Sequence, residues 1–140
     1  MQRSEIEAFL ARHEDLFAAH DAAGLAAQHA PESVFESPAA GRVEGRASIE
    51  QVYRYWFDAF PDMKFTWARP VIEGDRAAFF WSLSGTINGP FFGVKVPGTR
   101  VEMNGAALYT FRDGQLVFAQ HLFVFSALLM KAGVLKVKPT

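Results

Sequence analysis

Apolar side chains recur at intervals of three and four along the first sixty residues, and at intervals of two after that. Residues 4–20 put Ile6, Phe9, Leu10, His13, Leu16, Phe17 and His20 on one stripe, the pattern of an amphipathic helix. Ser4 followed by Glu7 resembles a capping box at its start. Two of the stripe positions are histidines, on the face that a helix buries. Residues 21–29 predict a short second helix that opens at Asp21 and stops before Pro31. Ser33 to Ser37 predicts a short strand closed by Pro38, and 39–45 a loop. A third helix is predicted from Ser48 through Phe60, with Ile49, Val52, Tyr53, Trp56, Phe57 and Phe60 on one face and Pro61 as its stop.

The second half reads as strands. Lys64 to Glu73 alternates and ends on Gly74-Asp75, a hairpin signal. Arg76 to Ile87 predicts the next strand, Asn88 to Thr99 a long glycine- and proline-rich loop, and Arg100 to Arg112 a third strand. Asp113-Gly114 turns the chain into a last strand, Gln115 to about Phe125. The tail from Ser126 is apolar and then lysine-rich. Helices followed by a strand meander make an α+β plan. The expected fold is a cone-shaped, curved mixed or antiparallel sheet, wrapped by about three N-terminal helices around an apolar pocket. One domain, 1–140, accommodates it.

Composition narrows the function classes. Half of the 140 residues are hydrophobic and 21% are charged, enough apolar surface to offset the entropy of ordering. Fourteen Phe exceed what a filled core of this size needs, so some rings are expected to line a cavity or a subunit interface. The net charge is −1 with no basic stripe, which argues against nucleic acid as a partner. The absence of Cys excludes disulfides, thiolate nucleophiles and cysteine-ligated zinc. No uncharged run is long enough to span a bilayer, the N-terminus lacks the pattern of a signal peptide, and a cytoplasmic location is expected.

Several local stretches carry a resemblance. Ala59-Phe60-Pro61-Asp62-Met63, the loop Gly85-Thr86-Ile87-Asn88-Gly89-Pro90-Phe91-Phe92-Gly93 with Pro97-Gly98-Thr99, the hairpin Phe111-Arg112-Asp113-Gly114-Gln115-Leu116 and the tail Leu128-Leu129-Met130-Lys131-Ala132-Gly133 are similar to those of the SnoaL-like polyketide cyclase family. With the order of elements, they resemble the nuclear transport factor two-like superfamily, which includes ketosteroid isomerase. The resemblance implies a homodimer and a pocket for a small molecule. It also implies where chemistry should sit. The isomerase's oxyanion-donating tyrosine falls at His13, its carboxylate base at Ser37 before Pro38, its protonated aspartate near Ala107, and a network tyrosine at Tyr53. The cyclases' late acidic residue falls near Phe123 or Val124. The carboxylates of the relatives are therefore missing, as is any counterpart of the superfamily's epoxide-hydrolase Asp-Arg-Asp set.

Histidines and rings remain as candidates. His121 lies in the alternating run Ala119-Gln120-His121-Leu122-Phe123, so it shares a face with Phe123 and could serve as a general base or acid. The competing reading is a core histidine bonded to backbone. His13 could donate to a carbonyl, with Tyr53 as the other donor. His20 reads as a helix-end cap, and His29 as a residue at the end of the second helix by the pocket rim. His13 and His20 lie about 10 Å apart by helical rise, too far to share an ion, and no metal or cofactor is expected. Either Glu36 or Ser37 faces inward, with Ser37 favoured by the resemblance. Asn104 could bond a ligand carbonyl or form a local bulge with Gly105. Asp62 is expected to satisfy backbone donors. Phe17, Phe35, Phe57, Trp56, Trp81, Phe123 and one of Phe79 and Phe80 are candidate pocket walls for an apolar planar ligand. The tail is expected to cover the pocket mouth or to pack on a partner subunit. Three functions follow as expectations: proton transfer on an apolar carbonyl compound, binding without chemistry, or a dimerisation module with a filled cavity.

Overall fold

The computed structural model describes residues 1–95, 98–136 and 138. Val96 and Pro97 of the expected loop, with Val137, Pro139 and Thr140 of the tail, lie outside the described residues. Helix α1 (Arg3–Ala18) leads to α2 (Ala22–Ala27), a hairpin of β1 (His29–Ser37) and β2 (Gly41–Glu44), and α3 (Arg46–Ala59). Then come β3 (Lys64–Trp67), β4 (Val71–Glu73), β5 (Arg76–Thr86), the short β6 (Pro90–Phe91) and β7 (Val94–Lys95), β8 (Arg100–Arg112), β9 (Gln115–Phe123) and α4 (Phe125–Lys131). The main sheet runs β2-β1-β9-β8-β5-β3, with β4 also on β5. The sheet is mixed: β1 runs parallel to β9, and its other pairings are antiparallel. The fold is α+β as expected, with a curved, unclosed sheet and α1 and α3 packed on its inward face.

Differences from the sequence reading have local causes. The cap of α1 moves two residues upstream, from Ser4 to Gln2, because the Gln2 N–H donates to the Glu5 carboxylate at 2.6 Å and Ser4–Glu7 is not the capping pair. Asp21 does cap α2, accepting from the Gly24 N–H at 2.9 Å. The loop 39–45 contains β2, whose mostly exposed side chains give no apolar alternation to detect. The run from Lys64 to Glu73 is two strands. Trp67 pairs with Trp81 and Val71 with Ala78, so four steps oppose three, and Pro70 supplies no N–H to a ladder at that bulge. Strand β1 begins at His29, four residues early, through an irregular stretch before Val34. The expected loop 88–99 holds the β6–β7 hairpin, turned by Phe92 and Gly93 at φ 47° and 79°. Strand β9 ends at Phe123, and the tail forms α4, which buries Leu128.

One hydrophobic core joins α1 to the sheet through Ile6, Leu10 and Leu16, and α3 through Ile49, Tyr53 and Phe57. Strand β5 alternates strictly over most of its length, burying Ala77, Phe79, Trp81 and Leu83. That parity decides one open reading: Phe79 points inward and Phe80 outward. Among the described residues no helix is long and apolar enough to cross a membrane.

Candidate functional site

The inward faces of β5, β8 and β9 meet the apolar stripes of α1 and α3 around a cavity of about 60 Å³. Its walls include Phe17 from α1, Tyr53, Trp56 and Phe57 from α3, and Phe35 and Ser37 from β1. The sheet adds Phe65, Trp81, Leu83, Met103, His121 and Phe123, and Val52 and Met63 complete the lining. No lysine, arginine or carboxylate is among these residues. The cavity is narrow beside the roughly 150 Å³ of an apolar cavity that holds benzene. A larger ligand has to displace the half-buried side chains of Trp56, Met103 or Phe123. Trp56, Phe92, Phe123 and Phe125 form a circuit of rings at this end, with successive centroids 5.0–6.4 Å apart. The tail thus reaches the cavity's surroundings through Phe125.

Nine of the residues singled out from the sequence border this cavity: Phe17, Phe35, Ser37, Tyr53, Trp56, Phe57, Trp81, His121 and Phe123. Ser37 rather than Glu36 faces in; its hydroxyl accepts from the Ala40 N–H at 3.0 Å, and Glu36 lies 3.9 Å from Arg42 outside. Four do not reach the cavity: Phe79, which points inward but packs on Trp67 and Tyr109, and three polar candidates. Asn104 is on the opposite face, exposed, accepting from the Ser82 hydroxyl at 2.8 Å. It precedes the inward-facing Gly105, so strand parity sends it out, and the expected contact with a ligand there is not available. His29 sits behind Tyr53, its Nε2 2.8 Å from the phenol oxygen and its Nδ1 3.0 Å from the Ser33 hydroxyl. His13 is fully buried behind the wall, and direct donation from it to a guest is replaced by a bond to Tyr109.

Outside the cavity, His20 closes α1 at φ 53°, bonds the Met63 carbonyl at 2.9 Å and stacks on Phe57. Asp62 accepts from the Thr86 N–H at 2.7 Å, a bond that holds its carboxyl below the ordinary range. Among the described residues no three His, Asp or Glu side chains converge as a metal site requires.

Two buried networks support the wall. Burial drives the imidazoles toward the neutral form, lowering His13 to about 4, His29 to about 3 and His121 to about 3. Burial also raises the phenols of Tyr53 and Tyr109. With neutral rings, the direction of each bond follows. The Gln28 Nε2–H donates to the Phe9 carbonyl, which turns Oε1 toward His13. His13 Nδ1–H donates to that oxygen at 2.6 Å. Its Nε2 then has only a lone pair and accepts from the Tyr109 hydroxyl at 2.9 Å. With its proton committed to His13, the Tyr109 oxygen accepts from His121 Nε2–H at 3.4 Å. That leaves the lone pair on His121 Nδ1, to which no described side chain donates. Tyr109 and Gln28 were missed in the sequence. Tyr109 was legible as an inward residue by alternation with Phe111, but nothing marked it as the bridge between two histidines. Gln28 carries no sequence signal.

A family model for the SnoaL-like domain matches residues 9–119. The chain belongs to this family. The SnoaL-like match covers both networks up to β9 and stops two residues short of His121. Solved structures agree with it in fold. AclR of Streptomyces galilaeus, a proposed hydroxylase, is 25% identical, with 99% of this chain and 91% of that one covered at a TM-score of 0.83. IdmH of Streptomyces antibioticus, a proposed polyketide cyclase, is 25% identical over 91% of this chain and 98% of its own, at a TM-score of 0.75. A proposed SnoaL-like polyketide cyclase from Jannaschia sp. CCS1 is 20% identical over 95% and 94%, at 0.79. No curated protein matches the chain.

Proposed function

We propose that this SnoaL-like protein binds an apolar, carbonyl-bearing small molecule in the His121 cavity and moves a proton on it. The observation that carries the reading is the neutral imidazole of His121, which borders an apolar cavity with an unpaired Nδ1 while its other nitrogen is held by Tyr109. Nδ1 takes a proton from a carbon next to the carbonyl. The C–H electron pair becomes the C=C bond of an enolate, and the proton is returned from the imidazolium to carbon. Burial makes His121 a weak base in the free protein. An enolate formed against the ring offsets this, because an adjacent negative charge favours the protonated imidazole. His13 acts through Tyr109 as a positioning residue, and Tyr53 shapes the wall.

Binding without chemistry is the second reading. The depressed basicity of His121 and the lack of any carboxylate in the lining favour it. Exchange of the α-protons of 1-indanone in D2O, followed by ¹H NMR, separates the two. Proton transfer predicts exchange above the buffer rate and a loss of roughly a hundredfold in His121→Ala, the scale of a removed general base. Binding alone predicts ligand-induced shifts with no catalysed exchange.

The outer face of the sheet supports a homodimer. Phe80, Ala106 and Leu122 lie in one register row across β5, β8 and β9, and Phe80 and Leu122 are 74% and 65% exposed. Val124 extends the patch at 65%. A contiguous apolar face of this kind is covered in soluble proteins, and a second copy of the same face is the self-complementary solution.

A further inference from the structure

Trp81 Nε1–H is the buried side-chain polar group without a hydrogen-bond partner among the described residues. Native interiors pair such donors with few exceptions. Trp81 is 4% exposed and is itself a wall of the cavity. No described residue accepts a hydrogen bond from it. Phe65 stacks on the indole at 5.0 Å, Phe123 meets it edge-on at 5.7 Å, and the His121 ring centroid is 6.1 Å away. Below lies Gly105, where a Cβ would stand 2.5 Å from Cε2, the carbon bonded to Nε1. The indole is therefore clamped between Phe65, Phe123 and Gly105, in the wall that also carries His121, and Phe123 is one of the side chains that a larger ligand displaces.

We infer that Trp81 Nε1–H is the donor that receives the ligand's carbonyl oxygen, and that it selects neutral carbonyl, quinone or ketone ligands over hydrocarbons and carboxylates. The inference rests on the proposed function and gives it the oxyanion partner that His13 cannot supply from behind the wall. Hydrogen bonding from the indole withdraws charge from the carbonyl, which acidifies the neighbouring C–H facing His121. Carboxylates are disfavoured because the lining supplies no cation to replace their hydration. Hydrocarbons leave the donor unpaired.

The test compares 1-indanone, indane and indane-1-carboxylate by ¹H–¹⁵N NMR of the intact protein. The Trp81 indole resonance is assigned from the Trp56→Phe and Trp67→Phe spectra. The expected result is a downfield shift of the Trp81 indole proton with 1-indanone and none with indane, and no binding of the carboxylate. Trp81→Phe should lose about tenfold more affinity for 1-indanone than for indane, the scale of one neutral hydrogen bond beyond the lost wall contact that both ligands share. An unmoved indole resonance with 1-indanone bound overturns the inference, as does equal 1-indanone affinity in the variant. Should Trp81→Phe fail to fold, the wild-type resonance decides. Catalysed exchange without an indole shift removes Trp81 and leaves proton transfer standing. An indole shift without exchange does the reverse. If neither indane nor 1-indanone binds, both readings fall.

Discussion

Gly105 lies directly beneath the indole of Trp81, so close that a Cβ at position 105 would stand 2.2 Å from Cζ2. The two residues are register partners on β5 and β8, and Phe123 is the next residue in the same row. No left-handed backbone is needed here. Glycine serves by having no side chain, which lets a large ring lie across the strand instead of standing up into the cavity.

Gly105→Ala should therefore lift the indole and close part of the cavity. Overpacking of this kind costs about 1–3 kcal/mol. Urea denaturation measures the loss, and the Trp81 indole resonance should move in the free protein. Unchanged stability with an unmoved resonance would contradict the packing argument.

Stability should fall with acid in a window set by the histidines. His13, His29 and His121 stay neutral in the fold down to about 4, 3 and 3. In the unfolded chain they titrate near 6.5. Below that value the unfolded state binds more protons than the native state, so the stability present above pH 6.5 is lost progressively toward pH 3 to 4. Each histidine contributes up to about 1.4 kcal/mol per pH unit inside the window. Urea melts at pH 8, 6.5, 5.5 and 4.5 test this, and a flat profile between 6.5 and 4.5 would show that the rings are not buried neutral.

Tyr109→Phe removes the bridge between two imidazoles. His13 Nε2 would be left buried without its donor, at a cost of about 1–3 kcal/mol. His121 would lose the acceptor that fixes its proton on Nε2. Long-range ¹H–¹⁵N spectra should show His121 as the Nε2–H form in the native protein and as a mixture of both forms in the variant. A pure Nε2–H form in both proteins would mean that Tyr109 does not set it.

Leu122→Glu places a charge in the exposed row beside Phe80 and Ala106. In a twofold interface every substitution acts twice, and self-association should weaken by roughly a hundredfold or more. Light scattering behind size-exclusion chromatography reads the mass directly. A wild-type monomer would overturn the homodimer, and a variant that stays dimeric would move the interface elsewhere.

The sequence by itself determined more of the wall than of the machinery behind it. Helical periodicity put Phe17, Tyr53 and Phe57 on buried stripes, two-residue alternation put His121 with Phe123 on a common face, and the family resemblance favoured Ser37 over Glu36 as the inward residue. The span of β8 and the Asp113-Gly114 turn were legible because local propensity and pattern agree there. Alternation tells which residues of one strand share a side, but it says nothing of what stands opposite. The phase of Asn104-Gly105 stayed open until Trp81 was seen to need the glycine. The parallel pairing of β1 with β9 depends on packing between segments about eighty residues apart. Only the tertiary structure set His13, Gln28, Tyr109 and His121 in one chain of hydrogen bonds. The tautomer of His121 follows from that chain, because in a dry interior each donor must find an acceptor and the last lone pair is decided by all the others.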